Sequence, residues 1–408
     1  MPRSNHLSLA GAPAASNPVM DPNRMPALFV SHGSPMTALE PGAAGAFMQA
    51  LGPRIAAAFG RPKAILAVSA HTAARAPVLL AAARHEAVYD FGGFDPKLYE
   101  LRYDAPGAPA LAERVMALMG EAGLPLHLSP EGGLDHGNWT PLRYLYPAAD
   151  IPVLPLAFVP TQTPAQQFAL GEALAPLADE GVLVLASGSI THNLRRVFST
   201  GMRGPVDAKE IPESAAFRHW IAERSAARDW EALFAYRGRA PHALDRHPTV
   251  EHLLPWYVAA GAGGRGAAPL RLHESVTYGC LGMDAYAFGP QAARLGGGLR
   301  LRAGAAACEI PAPAPREDWR ELVLWRALSA KPIRQLRDEA LLLVGWYAAL
   351  RRSELALQRR ELLLERAHLV QHRGQAARQL GRAGLERLCR HGQEHPGLGA
   401  VSHPGSIP

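Results

Sequence analysis

The sequence predicts an α/β fold, a mostly parallel central sheet flanked by helices, followed by a separate helical or disordered C-terminal appendage. Three observations carry this reading. Short β-rich runs alternate with stretches of helical character, which argues for strands joined by helical crossovers. The runs are apolar almost throughout, as strands covered on both faces must be. After Gly289 the alternation stops, and GGGLRLRAGAAA followed by PAPAP reads as a linker.

The elements follow in order. Residues 1–24 hold one early Arg but no apolar run of signal-peptide length, and Pro and Asn interrupt them, so they are expected to be a disordered leader. The first domain is expected over 25–289. Its strands are predicted at 27–31, 64–69, 153–159 and 182–186, with a helix over 109–123 and a last strand within SVTYGCLGMDAYAFG. A Gly/Pro linker over 290–315 and an Arg-rich helical tail over 316–408 complete the expected organisation.

Composition sets the bounds. The chain has 408 residues, of which 48% are hydrophobic and 19% charged, enough for a sizeable core. The net charge of +6 belongs to the tail: residues 290–408 hold 19 Lys or Arg against 11 Asp or Glu, leaving the first 289 at −2 with 23 against 25. The basic balance therefore gives no reason to expect nucleic acid at the first domain. Cys280, Cys308 and Cys389 are far apart and lack CxxC spacing, which indicates neither a disulfide framework nor a thiolate zinc site. No run reaches the roughly 18 apolar residues of a membrane span, and the expected setting is cytoplasmic.

The chemistry is expected at histidines. His32 ends LFVS and precedes Gly-Ser-Pro, His71 follows AILAVSA, and His192 follows VLVLASGSIT. One histidine at a strand end is ordinarily a packed or hydrogen-bonded residue. Several strand ends with one pattern point to a site, because open α/β sheets place ligands there and neutral imidazole is the commonest ligand for zinc, iron and copper. His252 lies in TVEHLLPW beside Glu251, with a helix expected after Pro248. His247, five positions earlier, would face elsewhere, so His252 is preferred as the ligand. His136, in GGLDHGNWTPL, has Asp135 as a neighbour that could tune it for proton transfer. His85, His127 and His242 are read as surface or core residues. Tyr89, Phe91, Phe94 and Tyr99 could line a planar pocket or pack in the core, as could Trp139 and Trp256. Neither Arg102 nor Arg195 can be assigned to a substrate carboxylate.

Taken as a set, VSHGSP, SAHT, VYDFGGF with LYELRYDAPG, LDHGNWTPL, ASGSITHNLR and VEHLLPWY resemble the class III extradiol ring-cleavage dioxygenases of the DOPA 4,5-dioxygenase type, over about residues 25–289. The resemblance implies His32, His71 and His252 as metal ligands. It implies His192 as a further ligand or a nearby acid-base, and His136 as a residue just behind the ligands or an acid-base, facing the substrate. It implies Fe(II) for turnover, with Zn(II) as a possible bound metal, and a catechol and O2 as partners, without membrane or nucleic acid. Oligomeric state is not legible. The chemistry suits these residue types: a chelating catecholate and dioxygen need open metal positions, a base must take the second phenolic proton, and an acid must assist ring opening. Two alternative readings share the scaffold, a zinc-dependent hydrolase with Glu251 as base and a non-catalytic metal-binding relative.

The tail has its own resemblance. LRDEALLLVGWYAALRRSELAL is similar to the opening of the tyrosine recombinase (phage integrase) catalytic domain, with Arg351 at the position of the first catalytic arginine. It covers about residues 318–357, no HxxR box follows, and Tyr347 is the last tyrosine, so the piece is expected to be a truncated, non-functional fragment.

Overall fold

A computed structural model describes residues 23–197 and 205–296. The expected tail, with its integrase-like segment, and residues 1–22 of the expected leader lie outside these. The strands are β1 Ala27–Ser31, β2 Ala64–Ser69, β3 Val78–Leu80, β4 Arg84–His85, β5 Ala105–Pro106 and β6 His127–Ser129. They continue with β7 Val153–Ala157, β8 Val182–Gly188, β9 Leu270–His273, β10 Val276–Thr277, β11 Leu281–Gly282 and β12 Ala285–Phe288. Eight of them form one sheet in the order β6-β3-β7-β2-β8-β1-β12-β9. Its centre, β7-β2-β8-β1, is parallel throughout, while β3 joins β7 and β12 joins β1 antiparallel, so the sheet is mixed toward its edges.

Alternation along the central strands explains the layers. Phe29, Leu66, Val68, Leu154, Val184 and Ala186 pack on one face against helices Pro109–Glu121, Pro164–Leu174 and Leu254–Gly263. Leu28, Val30, Ile65, Ala67, Val153 and Leu185 pack on the other against helices Gly42–Phe59 and His136–Leu145. With both faces covered, all residues of β1, β2, β7 and β8 are buried, which is why these strands read as continuous apolar runs. Helices Pro164–Leu174 and Leu254–Gly263 cross closely because glycine sits at the contact: a Cβ on Gly171 would lie 2.1 Å from the Val258 carbonyl oxygen.

Three expected boundaries shift. The helix expected after Pro248 starts at Leu254, with Pro255 in its first turn where no N–H is needed; residues 249–253 stay a tight turn. The last strand candidate divides into the β10–β11 ribbon and β12, because Tyr278 and Gly279 adopt left-handed φ of 53° and 65° and reverse the chain. Past Gly289 the chain forms a turn, Ala292–Leu295, whose Leu295 is fully buried and accepts a hydrogen bond from Arg54 at 2.6 Å, so residues 290–295 pack with the first domain instead of opening the linker. At the other end, Arg24 pairs with Asp179. Among the described residues no helix is long and apolar enough to cross a membrane.

Candidate active site

Topology gathers the histidines. β2, β8 and β1 are parallel neighbours, and their register pairs Ser69 with Ser187 and Ser31 with Gly188, so all three end at one edge of the sheet. His32 follows β1 directly, His71 follows β2 by one residue, and His192 follows β8 after Ser189-Ile190-Thr191. This is the carboxyl edge of a parallel sheet, where open α/β folds bind ligands. His136 enters as the first residue of its helix, and His252 from the turn before Leu254.

The ring nitrogens of three histidines meet. His71 Nε2 lies 3.2 Å from His32 Nε2 and 3.2 Å from His252 Nε2. Each ring is held from behind at Nδ1: His32 by the Ser187 hydroxyl at 2.8 Å, His252 by Glu251 Oε1 at 3.1 Å, and His71 by Asp90 Oδ2 at 3.4 Å. An ionised carboxylate only accepts, so Nδ1 of His252 carries the proton and its Nε2 presents a lone pair; at His71 the Asp90 charge, 3.4 Å away without a hydrogen bond, favours the same tautomer. Two lone pairs 3.2 Å apart cannot bond each other. A shared cation resolves the conflict, and the donor set of three neutral imidazoles, two buried and His71 part-exposed, each with a second group near Nδ1, suits a divalent transition metal.

Electrostatics act in the same direction. Burial, followed by the neighbouring imidazoles, pushes the pKa of His32 well below its ordinary value. Burial dominates at His71 and His192 too, which also fall well below the ordinary value, and it brings His252 to about 3. Neutral imidazoles are the form that binds metal. His192 lies outside the trio. Its ring stacks on that of His252, centroids 3.4 Å apart and planes within 7°, and the ligand-distance group it joins contains Glu251 and His252 but neither His32 nor His71. It is half-buried, and its ring nitrogens have no hydrogen-bond partner among the described residues.

His136 behaves oppositely. Burial opposes its charged form, but Asp90, at 2.9 and 3.0 Å from Nδ1, outweighs burial and raises its pKa. Asp135, the expected neighbour, raises it too, but through its charge alone and less than Asp90 does. Asp135 caps the helix by accepting from Asn138 N at 3.1 Å, and it also accepts from Ser69 Oγ at 2.6 Å and from Thr72 Oγ1. The direct partner of His136 is Asp90, within the quoted VYDFGGF but passed over for its aromatic neighbours. Burial would raise the Asp90 pKa, and His136 and His71 together hold it well below the carboxylate range.

The other sequence candidates separate. His247 is fully buried and bonds the Ile190 carbonyl at 2.7 Å, away from the cluster. His85 is buried against the Gly132 carbonyl, while His127 and His242 are exposed. Trp139 and Trp256 are core residues. Phe91 sets its ring edge-on to His136, with centroids 5.6 Å apart, and touches Tyr89, Phe94 and Tyr99 in turn. Arg102 pairs with Asp104 at 2.5 Å, and Arg195 is exposed. Glu251, the base a hydrolase would require, accepts from the Thr249 hydroxyl at 2.7 Å and is tied to His252.

Comparison with known proteins places the chain in a family. Residues 26–289 match the family described as the catalytic LigB subunit of aromatic ring-opening dioxygenase. A Beta vulgaris protein named 4,5-DOPA dioxygenase extradiol is 36% identical over 262 residues, 64% of this chain and 95% of that protein. An Escherichia coli K12 protein of the same name is 37% identical over 279 residues, covering 66% and 97% respectively. The crystal structure of an uncharacterized Escherichia coli K12 protein superposes with a TM-score of 0.53 at 33% identity, covering 65% of this chain and all of that one. The chain therefore belongs to the LigB family of aromatic ring-opening dioxygenases and is a non-haem, metal-dependent extradiol dioxygenase.

Proposed function

We propose that His32, His71 and His252 hold one divalent metal through Nε2, that the working metal is Fe(II), and that the substrate is a DOPA-like catechol. The ring is opened beside its hydroxyl pair, and both atoms of O2 end in a semialdehyde product, so no external reductant is needed. The observation that carries this reading is the approach of the His32 and His252 Nε2 atoms to within 3.2 Å of His71 Nε2, with Nδ1 engaged on every ring. The names of the two relatives support the substrate class. A redox-active iron held by His32, His71 and His252 would supply the charge transfer between catechol ring and dioxygen that ring opening requires. Zn(II) fits the same nitrogens but has no redox chemistry.

The chain's own residues handle the protons and the ring. His192, partly open and without a partner at either ring nitrogen among the described residues, accepts the second phenolic proton of the catechol. Its stacking on His252 fixes it beside the metal ligands without using its nitrogens. His136 has Nδ1 committed to Asp90, so Nε2 is the atom left to hydrogen-bond a substrate oxygen and return a proton as the ring opens. Phe91 and its aromatic neighbours, packed edge-on or tilted to one another, give an apolar flank beside His136 for the substrate ring.

The test is oxygen uptake by the full chain reconstituted with Fe(II), over a panel of catechols that includes DOPA. Catechol-dependent uptake with a yellow semialdehyde product, lost in His71→Ala, is expected. Full metal occupancy without uptake on any catechol would refute the substrate class.

A further inference from the structure

We infer that Asp90 is a positioning residue that serves two histidines at once, fixing His71 so that Nε2 faces the metal position and His136 so that Nε2 faces the substrate. The inference rests on the ligand assignment proposed above. Asp90 has a side chain only 3% exposed, and its two oxygens divide their work. Oδ1 accepts from the His136 backbone N–H at 2.9 Å and from His136 Nδ1 at 2.9 Å. Oδ2 lies 3.0 Å from the same Nδ1 and 3.4 Å from His71 Nδ1. The backbone contact stops the carboxylate from swinging to favour one ring. Because the rings stand only 4.1 Å apart, one carboxylate lies against both, hydrogen-bonded to His136 and in charge contact with His71.

No neighbour can replace it. Asp135, the other buried carboxylate nearby, is saturated by Ser69, Thr72 and both nitrogens of Asn138. Carboxylate partners of metal-bound histidines fix tautomer and ring angle, and their removal typically weakens metal binding by about 10- to 100-fold. Here the same carboxylate also orients a residue that faces the substrate, so ligand geometry and proton handling are mechanically linked.

Asp90→Asn is the discriminating change, since it keeps the volume. Its amide oxygen can still accept from one Nδ1–H. Its NH2 then faces the other ring and favours the tautomer with hydrogen on Nε2, where a ligand needs a lone pair. On the full chain, Zn(II) affinity is measured by competition with a chelating indicator, and Co(II) binding by its visible spectrum. Asp90→Asn is expected to weaken Zn(II) by about tenfold or more and to alter the Co(II) bands, with the metal-free unfolding midpoint little changed. Asp90→Ala should weaken Zn(II) at least as far, and His136→Gln should leave the affinity within threefold. At saturating Fe(II), Asp90→Asn should lower kcat much less in the His136→Gln background than in the parent. Affinity within twofold of the parent for both Asp90 variants, or equal kcat losses in the two backgrounds, would overturn the inference. Unchanged Zn(II) affinity in His71→Ala would instead sink the ligand assignment itself.

Discussion

Gly188 sits where β8 ends, and the turn that carries His252 lies against it. A Cβ at this position would fall 2.1 Å from the His252 carbonyl oxygen and 3.2 Å from the Phe29 ring, where ordinary contact begins at 3.4 Å. Gly188→Ala must therefore push the turn back by about 1.3 Å, since Phe29, fully buried, closes the other direction. The same carbonyl accepts from Ser189 N at 2.9 Å, a bond the retreat would break. Overpacking costs about 1–3 kcal/mol and the lost bond about 1 kcal/mol, so stability should fall by about 2–4 kcal/mol. The larger effect is on the metal. Bond lengths at such sites hold to within about 0.2 Å, and a displacement of about 1 Å should weaken binding by about 100-fold or more. Urea unfolding and Zn(II) competition on the full chain measure both quantities. Gly266→Ala, where nothing lies within 4 Å of the added carbon, is the neutral control. Affinity within threefold of the parent and stability within about 0.5 kcal/mol would refute the claim that this glycine sets the position of His252.

Three further outcomes are expected. His192→Gln should lower kcat by about 100- to 10,000-fold while Zn(II) affinity changes less than threefold; a collapse of affinity would make His192 a ligand instead. Asp284 is fully buried and accepts from Arg218 Nε at 2.7 Å and Nη2 at 3.0 Å, so Asp284→Asn should cost about 3 kcal/mol in urea unfolding, a loss of under about 1 kcal/mol refuting the role of the pair. His247 is brought to about 4 by burial, so it is neutral in the fold and protonates in the unfolded chain below about 6.5. Its stabilisation is complete above pH 6.5 and is lost as pH falls toward 4, by about 2 kcal/mol at pH 5. His247→Gln, which can still donate to the Ile190 carbonyl, should lose correspondingly less stability between pH 7.5 and 5; an equal loss would remove His247 as a source of acid sensitivity.

Much of the scaffold was legible because burial on both faces writes itself as apolar runs, and β1, β2, β7 and β8 fall within two residues of where those runs predict them. The strands at the sheet's edges were not legible. β3, β6 and β9 are three or four residues long and partly exposed, so they carry neither the apolar run nor a clean alternation. At the site, His32, His71 and His192 could be found because each lies within four residues of a strand's end. The carboxylates behind them could not be sorted: Asp135 adjoins His136 in sequence yet caps a helix, whereas Asp90, 46 positions away, makes the contact. Sequence adjacency says little about a pair whose partners arrive from different elements.

The arrangement also explains why the cluster needs so rigid a base. Four neutral imidazoles crowd one edge of the sheet, with burial and mutual repulsion both opposing their protonation. Without fixed partners the rings would turn to relieve contacts such as the 3.2 Å Nε2 approaches. Ser187, Asp90 and Glu251 remove that freedom at Nδ1, one for each ring of the trio. Ser187 belongs to a fully buried strand, and Glu251 to a turn held against Gly188. The ordering cost is therefore met when the chain folds, before any metal or substrate arrives, so metal binding should proceed with little change in the positions of β1, β2 and β8.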